Sequence, residues 1–289
     1  MCGRVIALAL AALVVVPSAT PQVVVATTIF RTVNLRPDAI TAFRVGCPPG
    51  YLPVSAGVST PAQGATTLGI RPMGQRGYTF RFGNPRANSA RLVTVATACR
   101  RVPAVTPKTP SLTLTQVKTK PIAVLPSSQK TVTLPCPSGT LPAGSGVDLD
   151  PGRSGGSSPH FGGSSLSVRR LTETLKAFSV VVRNTGNATR SAVLYGSCLT
   201  LVRPAGAPRE RLRVGVTTWT MPLRSGPQVV NKRCGRGWFS LGTGYSLPPT
   251  VRLGGSVAVA GGGKWALTNA SSAQTLADVQ LVCGRLLSG

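Results

Sequence analysis

The sequence predicts an all-β protein of three tandem antiparallel units, each a small sandwich or barrel closed by one internal disulfide. Three observations carry that prediction. Glutamate, a strong helix former, occurs only at Glu173 and Glu210, while Val, Thr, Gly and Pro abound. Stretches that alternate large apolar with small or polar residues recur along the chain, which is the period of a half-buried strand. One cysteine-centred pattern is written three times, as "CPPGYLPVSAG" (47–57), "CPSGTLPAGSG" (136–146) and "CGRGWFSLGTG" (234–244). The 289 residues, 42% of them apolar, are enough for more than one core.

The chain opens "MCGRVIALALAALVVVPSAT", with Arg4 ahead of an apolar run from Val5 to Val16, then Pro17 and small residues. That is the layout of an export signal, so residues 1–26 are expected to be a signal peptide cleaved after Ala26, with Ala19 as the alternative site. The run is too short to cross about 30 Å of hydrocarbon as a helix. No transmembrane segment is expected in the mature chain, which is placed outside the cell or on its surface.

Each repeated pattern begins at a cysteine, Cys47, Cys136 or Cys234, and each unit closes on a second, Cys99, Cys198 or Cys283. The like placement of the pairs predicts bridges Cys47 to Cys99, Cys136 to Cys198 and Cys234 to Cys283, and Cys2 leaves with the signal peptide. The glycine three places on, Gly50, Gly139 or Gly237, follows Pro48 and Pro49, Pro137, or no proline in the third copy. It is expected to take a positive φ in a tight turn. The glycine ten places on, Gly57, Gly146 or Gly244, is expected where another backbone or a bulky core side chain comes close.

Strands "YTFRFGN" (78–84), "AFSVVVRN" (177–184) and "KWALTN" (264–269) each run to an asparagine, Asn84, Asn184 or Asn269. A second strand then leads to the closing cysteine, with Val95, Leu194 or Val279 on the face of the sulfur, so each closing cysteine should point inward. Tyr78, Phe80, Phe82 and Trp265 read as core, whereas Trp219 and Trp238 are candidates for exposed contacts beside Arg224 or Arg236. The proline-rich stretches 102–111 and 203–211 read as short spacers, setting β units at 27–102, 111–203 and 212–289. The tract "PGRSGGSSPHFGGSS" (151–165) reads as a surface loop.

Catalytic chemistry has little to draw on, because the chain holds six acidic residues and one histidine. His160 sits in the Gly/Ser tract near Asp148 and Asp150, but a triad needs a histidine oriented by a buried carboxylate, and such a tract holds nothing still. Hydrolase, phosphate-loop and zinc-protease motifs are absent, the acids of a calcium loop are missing, and no C-x-x-C or histidine spacing fits zinc. No catalytic residue, metal or cofactor is expected. Asn187 and Asn269 each begin an N-glycosylation pattern.

Charge is the stronger signal. A formal net charge of +26 at pH 7 must attract polyanions at low salt. Arg outnumbers Lys by 25 to 7, which favours bidentate contact with phosphate or carboxylate. The densest basic stretches supply the candidate polyanion contacts Arg76, Arg81, Arg86, Arg91, Arg169, Arg170, Arg209, Arg211, Arg213, Lys232, Arg233 and Arg236. Codon composition alone would explain Arg over Lys but not the scarcity of acids.

A C-P-x-G head, an alternating strand ending in Asn and an apolar strand ending in Cys resemble tandem β modules in uncharacterised exported proteins of high-GC bacteria, actinobacteria especially. The likeness spans nearly the whole mature chain, and the third copy departs from it by carrying Gly235 in the proline's place. The resemblance implies export and a β module, with no established activity. The expected function is therefore a non-enzymatic secreted or envelope-associated protein that binds an anionic polymer or glycan surface through dispersed Arg and Lys. A structural surface-layer or virion-appendage component is the alternative, and a hydrolase stands third.

Overall fold

In a computed structural model, residues 24–60, 65–84, 89–103, 107–151, 166–207 and 209–287 are described, and nearly all regular structure among them is strand. The first cysteine-closed stretch holds β1 (Val25–Leu35), β2 (Ala39–Gly46), β3 (Leu52–Thr60), β4 (Thr66–Pro72), β5 (Gly77–Asn84) and β6 (Arg91–Arg101). The second holds β7 (Ser111–Lys118), β8 (Ile122–Val124), β9 (Gln129–Pro135), β10 (Leu141–Leu149), β11 (Leu166–Glu173), β12 (Ala177–Asn184) and β13 (Arg190–Val202). The third holds β14 (Arg211–Leu223), β15 (Gly226–Arg233), β16 (Phe239–Ser246), β17 (Val251–Val259), β18 (Gly262–Asn269) and β19 (Thr275–Leu287). Residues 1–23, Arg86 and all of the 151–165 tract after Pro151, His160 included, lie outside the described residues.

Each stretch makes two antiparallel layers in the same order. They are β1-β6-β3 over β2-β5-β4, then β7-β13-β10 over β9-β12-β11 with β8 also on β13, then β14-β19-β16 over β15-β18-β17. The alternating strands supply the cores between the layers. Tyr78, Phe80 and Val95 are buried in the first, Phe178, Val180 and Leu194 in the second, and Trp265, Leu267 and Val279 in the third. Each such side chain contributes about 1.5–3 kcal/mol by leaving water. The Trp265 indole donates to the Gly244 carbonyl at 3.0 Å, so its one polar group is satisfied inside the core.

The three asparagines that end β5, β12 and β18 do one job. Each side-chain amide donates to the last residue of an earlier strand, Leu35, Val124 or Leu223, and also to the turn that follows, at Ser89, Ala188 or Ala273. Asn269 is therefore buried and bonded, and its glycosylation pattern is closed to modification, whereas Asn187 is exposed.

The layers do not stop at the proline spacers. β4 pairs with β10 through Gly69 and Asp148, and β11 pairs with β16 through Arg170 with Ser246 and Leu171 with Tyr245. The back layer of one stretch thus continues as the front layer of the next. At the third junction β17 lies against β3, with Gly57 at the Ser256 carbonyl and Gly255 at the Val58 carbonyl, and among the described residues no ladder joins them. The chain therefore closes into a ring of three sandwiches around a shared axis.

The tenth-place glycines lie at these junctions. A Cβ on Gly57, Gly146 or Gly244 would run into a backbone carbonyl of the neighbouring stretch, that of Ser256, Ile70 or Leu171. Gly146→Ala is expected to cost about 1–3 kcal/mol of stability, measured by denaturant unfolding, because neither backbone can yield without moving its sheet.

A fourth core fills part of the axis. β3, β10 and β16 each carry a bulge at the same register, at Val54, Ala143 and Leu241, and these residues are fully buried with Ala98, Leu199 and Val282 from the closing strands. The closing strands are consequently buried on both faces.

Candidate functional site

The cysteine turns are built as their residue types require. Backbone amides of Tyr51, Thr140 and Trp238 donate to the carbonyls of Pro48, Pro137 and Gly235 at 3.0–3.1 Å, and Gly50, Gly139 and Gly237 have φ of 76–77°. A positive φ at the third of four turn residues is the type II pattern, open to glycine at no steric cost. All three predicted bridges are formed, Cys47 to Cys99, Cys136 to Cys198 and Cys234 to Cys283, with Cα atoms 5.8–5.9 Å apart.

Basic side chains gather beyond two of these bridges. Arg285 lies over Gly237, faces Arg213 across the β14 and β19 ladder, and stands next to the exposed Arg236 turn. Like charges set directly opposite are destabilising in a sheet, so this placement is not one that folding alone favours. The half-buried Trp238 packs against Gly215 and the third core. In the first stretch Arg101, at the place of Arg285, sits over the Tyr51 ring at 4.9 Å. The second stretch has Thr140 and Thr200 there.

The predicted basic residues fall into different settings. Arg76, Arg209, Arg211, Arg213, Arg233 and Arg236 are exposed. Arg81 forms a 2.5 Å ion pair with the buried Asp148 across the first junction, and Arg91 is half-buried. Arg170 donates to the Ser246 hydroxyl and Arg169 to the Pro248 carbonyl. Lys232 rests over the Trp219 ring at 5.3 Å, so that indole is half-buried beneath a cation. Sequence reasoning missed Arg285 and Arg101, although both stand two residues after a closing cysteine, a shared place that could have marked them.

The acids are the more telling group. Asp148 and Asp150 pair with Arg81 and Arg190, Glu173 and Glu210 are buried, and Asp278 accepts from Thr220. Only Asp38, in a turn, is outside this set. The positive surface is thus almost unopposed.

Glu173 is 1% exposed, accepts from the Ser145 hydroxyl at 3.0 Å, and its Oε2 has no hydrogen-bond partner. Gly242 lies under the carboxyl, Gln280 accepts the Glu173 amide, and the Tyr78 phenol is the titratable group that feels its charge. Burial pushes this carboxyl up to about 7 from an ordinary 4.5, and the Ser145 bond offsets only part of that. The folded chain then holds a proton that the unfolded chain releases between those values. Stability is expected to fall by about 3 kcal/mol as pH rises through that window and to level off above it. Glu173→Gln should flatten the pH profile of denaturant unfolding and raise stability at alkaline pH.

Among the described residues no group of three or more His, Cys, Asp or Glu is placed to hold a metal ion, and no helix is long and apolar enough to cross a membrane. Compared with known proteins, the chain matches no protein-family model and no curated protein.

Proposed function

We propose that this is an exported, non-catalytic protein that binds anionic surface polymers through guanidinium groups spread over a ring of three like β units, each closed by its own disulfide. The observation that carries this reading is the withdrawal of four of the six acids into buried or ion-paired positions, which leaves the basic residues to set the surface potential. One local concentration is Arg213, Arg236 and Arg285. Three disulfides are the chemistry of an oxidising compartment and support export. β1 begins at Val25, so processing after Ala19 keeps that strand whole, whereas processing after Ala26 removes its first two residues.

Retention on immobilised heparin and on immobilised teichoic acid tests the proposal. The protein should bind at about 50 mM salt and elute well before about 500 mM, because counterion release is lost as salt rises. The triple variant Arg213→Gln, Arg236→Gln, Arg285→Gln should elute earlier. Passage through both columns at the lower salt would refute the reading.

A further inference from the structure

The shared axis is filled at one end and open at the other. Past the bulge residues, at the next position but one along β3, β10 and β16, all three stretches place a small side chain, Ala56, Ser145 or Thr243. From there the strands part around a cavity of about 700 Å³. This volume falls within the range of about 300–1,000 Å³ that small-molecule sites occupy.

The cavity wall is largely apolar, with Val58, Val147, Ile70, Leu171 and Leu253 contributed by all three stretches. Two arginines also line it, Arg169, which is half-buried, and Arg252, which is exposed. Neither forms an ion pair among the described residues. Burial and the nearby charge of Arg183 push the Arg169 guanidinium down, so it sits where an anion would relieve it. An apolar chamber with two uncompensated guanidinium groups where it meets solvent is complementary to one kind of molecule.

We propose that the axial cavity binds a single-chain amphiphile with an anionic head, its tail among Val58, Val147, Ile70 and Leu171 and its head on Arg169 and Arg252. The proposal does not rest on the polymer-binding reading, although Arg169 is among the basic residues named for both.

Calorimetric titration with dodecyl phosphate, below the concentration at which it aggregates, tests the proposal. One equivalent should bind. Arg169→Gln with Arg252→Gln should weaken it at least ~10-fold, since charge-assisted bonds to the head are lost. Thr67→Trp, at an exposed position on the cavity wall, should abolish binding by closing the chamber while leaving thermal unfolding and heparin retention unchanged. Dodecyltrimethylammonium and inorganic phosphate should each bind at least ~10-fold more weakly than dodecyl phosphate, because each lacks one of the two complementary parts. The proposal is overturned if dodecyl phosphate does not saturate, if it binds all variants alike, or if inorganic phosphate binds as tightly.

Discussion

Replacing Arg100 with leucine is expected to remove about 3 kcal/mol of unfolding free energy, because charge-assisted hydrogen bonds to buried neutral acceptors are lost on both sides of a junction. Arg100 is 0% exposed, yet among the described residues no carboxylate meets it. Its five N–H groups are all used. Nε donates to the Ser240 carbonyl, Nη1 to the carbonyls of Thr27 and Cys99, and Nη2 to the Ser240 hydroxyl and the Val259 carbonyl. Burial still pushes the group down to about 10, which measures how poorly the site replaces water.

Ser240 and Val259 belong to β16 and β17, so Arg100 ties the first stretch to the third at the one junction without a ladder. Leucine would take this donor from the buried Ser240 carbonyl, at about 1–3 kcal/mol for a fully orphaned group, while the Val259 carbonyl would keep the Ser240 hydroxyl. Arg100→Lys offers three donors on a point charge and should fall between the two. A loss below about 1 kcal/mol for the leucine variant in denaturant unfolding, within the range of ordinary surface substitutions, would show that the third junction does not depend on this side chain.

Removing the Cys136 to Cys198 bridge is expected to cost about 4 kcal/mol in the chain-entropy account, since it closes the longest of the three loops. Its sequence separation is 62 residues, against 52 and 49 for the others. Cys198 is fully buried in the second core beside Leu194 and Phe178, so serine at that place adds an unpaired hydroxyl. Alanine at both positions isolates the crosslink better. The double alanine variant should melt on the order of 10 °C lower than the oxidised parent. Equal denaturation midpoints for the two would contradict the assignment of stability to this bridge.

Within each stretch the sequence was informative because its signals are local. Cysteine, a third-place glycine and a tenth-place glycine stand in one register with no gaps, which fixes the turn, the partner cysteine and the place of close approach. Period-two alternation likewise marked Phe80, Val180 and Trp265 as core. The ring was not legible, because alternation tells which residues face the opposite layer of the same unit and says nothing about which edge meets which. One clue was available in the closing strands. Ala96, Ala98 and Leu199 keep the second face of those strands apolar, as burial on both sides requires.

The basic residues were legible as a total and not as individuals. Arg81 and Arg100 look like surface charge in the sequence, but the first is held by Asp148 and the second fills a junction. Which cations face water depends on contacts between distant strands, and a string of residue types does not carry that information.

The proposal that this protein binds anionic polymers is tested most directly by equilibrium titration of the disulfide-bonded chain with teichoic acid over a series of salt concentrations. The account predicts saturable binding at low salt and an affinity whose logarithm falls linearly with that of salt, with a slope reflecting several displaced counterions. An affinity that does not move with salt, or no binding at the lowest salt, would contradict it.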